Sequence, residues 1–226
     1  MKILALDTST EFCSVALAMD GECVERHVLA GQRHSHMILA MVADLLATGG
    51  VALSALDGIA FGEGPGSFTG LRIGCGVAQG LAFAHDIPVA GIGTLLALAE
   101  GAAGPRVIAG LDARMGEMYH AAFERGAAGW RTVCAPSLCL AAQAPLVDGS
   151  GWVGCGSAFR AYRDALGARL GSRLAAVIEE ASPHAAAIAC LAEPIFQRGE
   201  GVPAWEARPL YVRDRVALKT HERGAG

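Results

Sequence analysis

The sequence of 226 residues is long enough for one large domain or two small lobes with a hydrophobic core. Hydrophobic residues make up 53% of it and aromatic residues only 6%, so we expect small aliphatic side chains to fill that core. Residues 1–105 hold 4 basic and 10 acidic side chains (net −6), and residues 106–226 hold 14 and 12 (net +2), which together give −4. Neither half has the basic character of a chain that grips nucleic acid directly.

The first 19 residues are apolar but are interrupted by the polar stretch 7–11. This pattern predicts neither a signal peptide nor a membrane span. The seven cysteines show no C-x-x-C spacing and are odd in number, which favours reduced thiols over a disulfide framework. We therefore expect a cytoplasmic protein that does not bind membranes.

The apolar pattern predicts regular elements throughout the first half of the chain. A continuous apolar run over 2–6 is typical of a central strand, and Asp20-Gly21 is a strong hairpin signal between two further strands. The predicted elements are strands over 2–6, 12–19 and 22–29, a helix over 34–47, a strand over 57–61, a helix over 67–85, a strand over 87–92 and a helix over 94–99.

The same order begins again after the Gly- and Pro-containing stretch 101–105, which we take as a boundary between lobes 1–100 and 101–226. Together the two halves predict an α/β protein with two lobes. The elements predicted for the second half are strands over 106–112, 118–124, 129–134 and 152–155 and helices over 137–144, 157–170 and 182–198.

A glycine-rich stretch, Gly64 to Arg72, joins a predicted strand to a predicted helix. Gly64 and Gly66 flank a proline in a sharp turn, and Ser67 or Thr69 can cap the helix. Such a turn leaves N–H groups free at the positive end of the helix dipole, which suits a phosphate or a carboxylate. However, the string is neither a P-loop nor the dinucleotide fingerprint, and glycine-rich turns also serve as simple connections. Both interpretations stay open.

The predicted helices 34–47 and 67–85 carry more apolar surface than packing against one sheet requires. In the second helix, Gly70 and Gly74, like Gly76 and Gly80, are four residues apart, a spacing that lets another helix approach closely. The two helices form either a partner surface or a buried core layer.

No catalytic residue and no metal site is predicted. His34 and His36 are two residues apart, so in a helix their side chains point to nearly opposite sides and cannot share a metal ion. The remaining histidines are isolated in sequence, and no Ser/His/Asp or Cys/His spacing is recognisable.

Four strings stand in a characteristic order: Lys2 to Thr10, His34 to His36, Gly64 to Gly74 and Pro209 to Arg213. They resemble the TsaB family, the dimerisation subunits of the bacterial complex that makes threonylcarbamoyladenosine in tRNA. The resemblance covers nearly the whole chain. It implies the two-lobed fold of the actin, sugar-kinase and chaperone ATPase superfamily, with a duplicated βββαβαβα unit and a reduced second lobe.

In that superfamily, two Asp-bearing turns hold nucleotide phosphates through a metal ion, and a glycine turn holds the adenosine. Ser9 and Ala113 stand where glycine would let the backbone approach phosphate, so we expect a degenerate site without ATPase activity. Asp7 also has a simpler interpretation, as a carboxylate that caps nearby N–H groups. The candidate residues of this degenerate nucleotide or anion site are Asp7, Thr8, Ser9, Gly64, Gly66, Ser67, Thr69, Asp112, Gly154 and Gly156.

The resemblance also implies that both helices pair with the catalytic subunit TsaD, with TsaE as a further member of the complex, or with a second copy when the chain is alone. Met37 and Met41 suit such a surface because flexible thioethers adapt to different partners. The predicted interface residues are His34, His36, Met37, Ile38, Met41, Leu45, Gly70, Arg72, Ile73, Gly74, Val77 and Leu81.

The implied function is that of a non-catalytic scaffold for threonylcarbamoyl transfer to the adenosine beside the anticodon, with only indirect contact to tRNA. We expect no cofactor bound strongly by this chain alone, and ATP or ADP with Mg²⁺ at the junction with TsaD. The alternative is an ATP-dependent phosphotransferase of the same superfamily, with Asp7 and Asp112 holding Mg²⁺. A peptidase activity has neither a metal pair nor a nucleophile constellation to support it.

Overall fold

The computed structural model describes residues 1–212 and contains two five-stranded sheets. The strands of sheet 1 are β1 (Lys2–Asp7), β2 (Phe12–Met19), β3 (Glu22–Leu29), β4 (Gly58–Gly64) and β5 (Val89–Gly93). The strands of sheet 2 are β6 (Arg106–Arg114), β7 (Glu117–Gly126), β8 (Gly129–Leu140), β9 (Trp152–Cys155) and β10 (Leu174–Ile178). The helices are α1 (His34–Gly49), α2 (Phe68–Phe83), α3 (Thr94–Gly101), α4 (Ser157–Ala161), α5 (Arg163–Leu170) and α6 (Ala185–Gln197).

The two sheets have the same topology. Sheet 1 has the order β3-β2-β1-β4-β5, and sheet 2, read in the same sense, has the order β8-β7-β6-β9-β10. In each sheet the first strand pairs antiparallel with the second and parallel with the fourth. The predicted duplication is therefore confirmed. Where the first repeat has α1, the second has only a short 3-10 turn over Ala141–Gln143, so the second lobe is reduced as expected.

Helices cover both faces of each sheet. On sheet 1, α1 and α2 pack on one face and α6 on the other. On sheet 2, α3 packs on one face and α4 and α5 on the other. The last helix of each repeat thus serves the opposite sheet, because α3 comes from the first repeat and α6 from the second. This exchange ties the two halves of the chain together.

Two predictions for the second half were wrong, and one strand was missed. The helix predicted over 137–144 is instead the end of β8, which stays paired with β7 as far as Leu140. The helix predicted over 157–170 breaks at Tyr162, which has non-helical backbone angles between α4 and α5. The strand β10 was not predicted, because its sequence, LAAVI, is an apolar run without the alternation that marks a half-buried strand.

Candidate functional site

A cleft of about 400 Å³ lies between the two lobes. The turn after β1, the turn before α2 and the end of β6 all reach it, so the structure brings together three of the four turns that the sequence singled out. Four of the predicted site residues line the cleft, namely Ser9, Gly66, Ser67 and Asp112. The other six, Asp7, Thr8, Gly64, Thr69, Gly154 and Gly156, are not part of its lining.

Asp7 ends β1 as a buried carboxylate with 1% of its surface exposed. Its Oδ1 accepts hydrogen bonds from the Ser9 backbone N–H (3.0 Å) and the Ser9 hydroxyl (2.8 Å). Its Oδ2 has no hydrogen-bond partner among the described residues and lies against Gly62, where a Cβ would come within 2.0 Å of it. Burial raises the pKa of Asp7 to about 7. Asp7 therefore caps its own turn.

The first turn of α2 packs directly on the turn after β1. The backbone N–H of Ser67 donates to the Ser9 carbonyl (2.7 Å), and the Thr8 hydroxyl donates to the Gly70 carbonyl (2.7 Å). A Cβ at Gly66 would lie 2.5 Å from the Ser9 carbonyl oxygen, and one at Gly70 would lie 1.9 Å from that of Thr8. These glycines serve close packing within the chain rather than the approach of a phosphate.

Ser67 caps α2 as predicted, because its hydroxyl oxygen accepts a hydrogen bond from the Gly70 N–H at 3.3 Å. The Ser67 N–H donates to the Ser9 carbonyl and the Gly70 N–H to the Ser67 hydroxyl, so both groups are hydrogen-bonded within the chain. The other predicted cap residue, Thr69, lies exposed inside the first turn of the helix.

The carboxylate of Asp112, in the second Asp-bearing turn, is held by Tyr162 and Arg114. Its Oδ1 accepts hydrogen bonds from the Tyr162 hydroxyl (2.7 Å) and the Arg114 N–H (2.8 Å), and its Oδ2 lies 3.2 Å from the Arg114 guanidinium. Burial raises the pKa of Tyr162 to about 12, and its bond to Asp112 adds to the shift. Tyr162 was not predicted, and it lies 50 residues from its partner.

The glycine turn at the end of β9, which contains Gly154 and Gly156, is also filled by the chain itself. A Cβ at Gly154 would lie 2.4 Å from the Phe159 ring. Gly156 has φ +104°, and a Cβ there would lie 2.3 Å from the Gly110 carbonyl oxygen. Both glycines are buried, and neither leaves room beside it for an adenosine.

Taken together, the described residues do not fit a Mg²⁺-nucleotide. A metal-bound nucleotide needs carboxylate oxygens that face the cleft and bare backbone beside the phosphates. Here one aspartate is buried beneath its own turn, the other is hydrogen-bonded to Tyr162 and Arg114, and the glycines contact protein atoms.

The segment 210–212 forms part of the lining of the cleft. The Leu210 N–H donates to the Glu63 carbonyl (2.7 Å), and its own carbonyl oxygen lies 2.4 Å from where a Cβ of Gly64 would be. Tyr211 lies beside Phe68, with ring centroids 5.3 Å apart, and its hydroxyl accepts a hydrogen bond from Arg72 Nε (3.1 Å). Arg213, the last residue of the family string, lies outside the described residues.

Five of the predicted interface residues are buried within the chain instead. Ile38 and Leu45 face sheet 1 with 0% and 1% of their surface exposed, and His34 (5% exposed) lies with Nε2 3.1 Å from the Phe12 carbonyl. Gly70 and Gly74 contact Thr8 rather than another helix. Helical periodicity marks the apolar positions but does not tell which of them face the sheet, so the structure places these five positions inside the chain and not on its outer surface.

The remaining positions form an apolar surface on the outer side of the two helices, which we call the α1–α2 face. Gly76 and Gly80 are exposed there, with no atom within 4 Å of a Cβ built on either. The half-buried aliphatic side chains around them are Met37, Met41, Ile73, Val77 and Leu81. His36 and Arg72 are exposed on the same two helices.

Comparison with known proteins reveals close relatives. The family of tRNA N6-adenosine threonylcarbamoyltransferases, TsaD, matches residues 28–215. The chain is 40% identical to the tRNA threonylcarbamoyladenosine biosynthesis protein TsaB of Escherichia coli K12 and 36% identical to that of Haemophilus influenzae, covering 97% and 96% of those proteins and 97% of itself in both cases.

Solved structures agree with these sequence relatives. YeaZ from Pseudomonas aeruginosa superimposes with a TM-score of 0.86 at 39% identity, covering 93% of this chain and 99% of that one. A second structure from the same organism, described as similar to the peptidase YeaZ, gives the same score and identity. Family membership favours the subunit interpretation over the phosphotransferase alternative. The chain belongs to the TsaB family of tRNA threonylcarbamoyladenosine biosynthesis proteins.

Proposed function

We propose that the chain is a non-catalytic subunit that pairs through the α1–α2 face with a TsaD-type threonylcarbamoyltransferase. The observation that carries the proposal is the pair Gly76 and Gly80, which lie open beside a row of half-buried aliphatic side chains. Small residues one turn apart let a second helix approach to backbone distance, and the aliphatic row would lose its remaining water contact.

The likeness to the partner itself supports this proposal. The chain matches the TsaD family over most of its length, and it is 33% identical over 109 residues to a tRNA N6-adenosine threonylcarbamoyltransferase of Geobacter. Two chains that share a fold can pair through equivalent helices in a pseudo-symmetric way, as identical chains do in a two-fold dimer. The same face would then serve a homodimer when no partner is present.

We infer that the chain has no catalytic residue of its own and binds no nucleotide alone, because its two aspartates and its glycine turns contact other parts of the same chain. ATP or ADP with Mg²⁺ would bind at the junction with TsaD. TsaE would bind the assembled pair. Other subunits would make most of the contacts to tRNA. The complex would act in the cytoplasm. Residues 1–212 contain no helix with the length and apolar character needed to cross a membrane.

Gly76→Glu and Gly80→Glu test the pairing. Each change places a charge on the α1–α2 face, and the Cβ of the new side chain meets no atom within 4 Å. The matched control is Gly167→Glu, at an equally open and exposed helical glycine of α5 on the other lobe. We expect gel filtration with the TsaD of the same organism to show a complex for the wild type and the control, and none for the two variants. A complex of undiminished stability with both variants would contradict the proposal.

A further inference from the structure

A polar cluster fixes the start of α6 to sheet 1, on the face opposite to the α1–α2 face. Glu25 of β3 accepts hydrogen bonds through Oε1 from the Ser14 hydroxyl (2.8 Å) and the Ala186 N–H (3.0 Å). The Ser14 hydroxyl oxygen in turn accepts one from the Ala185 N–H (3.0 Å). Because α6 has no side-chain cap of its own, side chains of the first repeat cap a helix of the second.

Two histidines from different repeats stack beside these bonds. The ring centroids of His27, on β3, and His184, which precedes α6, are 3.9 Å apart and their planes differ by 14°. His184 Nδ1 lies 2.9 Å from Glu25 Oε2, and His27 Nε2 lies 3.1 Å from the Ser182 hydroxyl. His27 Nδ1 is buried and has no partner among residues 1–212, and Phe12 stacks on the other side of its ring (4.7 Å).

The cluster is arranged for protons rather than for a metal ion. Glu25, His27 and His184 each offer one ligand atom, and these three atoms lie within 4.8 Å of one another. However, an imidazole nitrogen binds a metal in the plane of its ring, and two nearly parallel rings cannot both direct such a lone pair at one ion. Stacking instead places any charge on one ring directly beside the other.

Among residues 1–212, few charged groups act on the two rings. Glu25 on β3 and Asp7 on β1 are the carboxylates of this part of the chain that do so, while the neighbouring Arg26 is paired with Asp44. The thiols of Cys23 on β3 and Cys190 on α6 have raised pKa values, which keeps both uncharged. The hydrogen bond that His184 donates to Glu25 raises the pKa of His184, whereas burial and the charge of His184 lower that of His27.

We propose that His27, His184 and Glu25 form a proton-controlled clamp between the two repeats, which holds the start of α6 most firmly when one ring is a charged imidazolium and the other is neutral. In that state His184 is the protonated ring and Glu25 its counter-ion. Protonation of the second ring would place two positive rings 3.9 Å apart against the carboxylate of Glu25, because Asp7 is itself protonated in acid. Deprotonation of the imidazolium to a neutral ring would leave Glu25 without its cationic partner.

The linkage between protonation and folding gives the pH range in which the clamp is most stable. The pKa of His27 is lowered by folding, so its contribution to stability falls as the pH decreases from about 6.5 toward its folded pKa. The pKa of His184 is raised, so its contribution is complete below about 6.5 and is lost as the pH rises through its folded pKa. The clamp is therefore weakened by both acid and alkali.

Proton NMR of the imidazole rings and amide exchange at Ala185 and Ala186 test the clamp in the isolated full chain. We expect His184 to protonate at higher pH than His27, the two titrations to be coupled, and amide exchange at Ala185 and Ala186 to rise about tenfold on either side of the stable pH range. His27→Phe keeps the ring stack but cannot protonate, so it should abolish the acid-side increase in exchange. His184→Asn should abolish the alkaline-side increase, and the exposed His36→Gln is the matched control.

Three results would overturn the clamp. The first is independent titration of the two rings, or protonation of His27 before His184, in the wild type. The second is an unchanged pH profile of amide exchange in folded His27→Phe. The third is a shift of both ring signals by stoichiometric Zn²⁺, which would make the cluster a metal site. The ring titration needs no variant, so it decides the question even where a substitution prevents folding.

Discussion

Thr8 and Gly70 hold the start of α2 against the end of β1. The Thr8 hydroxyl donates to the Gly70 carbonyl at 2.7 Å, and the Thr8 carbonyl oxygen lies where a side chain at Gly70 would begin. The contact closes the turn that, in the superfamily the chain resembles, faces nucleotide phosphates. The glycines of α2 therefore have two separate roles, since Gly70 packs inward and Gly76 lies open on the α1–α2 face.

Alanine at these two glycines separates the roles. Gly70→Ala must displace the backbone of Thr8, because its Cβ would lie 1.9 Å from a carbonyl oxygen, and we expect it to lower the free energy of unfolding by about 2 kcal/mol or more. Gly76→Ala meets no atom within 4 Å and should raise it by up to about 1 kcal/mol through helix propensity. Urea unfolding of both variants measures the difference, and equal effects would contradict the packing described for Gly70.

Asp7→Asn should stabilise the chain at neutral and alkaline pH. Folding raises the pKa of Asp7 from 3.8 to about 7, so the unfolded state releases this proton more readily. The resulting stability is complete below about pH 3.8 and is lost as the pH rises to 7, which amounts to about 4 kcal/mol. Asp7→Asn should therefore unfold at higher urea than the wild type at pH 8.

That advantage of Asp7→Asn should shrink as the pH falls below 7 and disappear below about pH 3.8. Asp20→Asn, at an exposed hairpin position, is the control and should change the pH dependence little. A variant less stable than the wild type at pH 8 would show that the ionised carboxylate of Asp7 contributes to folding.

His120 should make the chain sensitive to acid. This side chain of β7 is fully buried, neither ring nitrogen has a hydrogen-bond partner among the described residues, and burial lowers its pKa from 6.5 to about 4. Its contribution to stability is therefore lost as the pH falls from about 6.5 to 4, by about 3 kcal/mol.

His120→Leu should flatten that part of the pH profile, as measured by urea unfolding between pH 4 and 7. The His27→Phe variant reports the separate contribution of the clamp. If folded His120→Leu loses as much stability between pH 7 and 4 as the wild type, then His120 is protonated in the folded state and its pKa is not lowered by burial.

Local sequence patterns predicted much of the fold. The Asp20-Gly21 turn placed both strands of its hairpin within the bounds seen in the structure, and Ser67 was identified as the cap of α2. The end of β8 and the strand β10 were not predicted, because their pairing depends on neighbours that a local pattern does not contain.

The site was predicted less completely than the fold. The resemblance grouped Ser9, Gly66 and Asp112 into one site, and all three line the cleft, but contacts at the cleft and elsewhere join residues that are far apart in sequence. Tyr162 lies 50 residues from Asp112, and His184 lies 159 residues from Glu25. Such pairs leave no periodicity or spacing in the sequence. The inner and outer faces of α1 and α2 likewise became distinguishable only when the position of sheet 1 was known.

Reconstituted threonylcarbamoyl transfer to tRNA tests most directly whether the α1–α2 face or the inter-lobe cleft carries the function. The assay would combine the other subunits of the organism's complex with the wild-type chain, with Gly80→Glu, or with the double variant Asp7→Asn and Asp112→Asn. We expect full activity with the double variant and at least a tenfold loss with Gly80→Glu. Loss of activity with the double variant while Gly80→Glu remains active would contradict a scaffold role and would place the chemistry in the cleft.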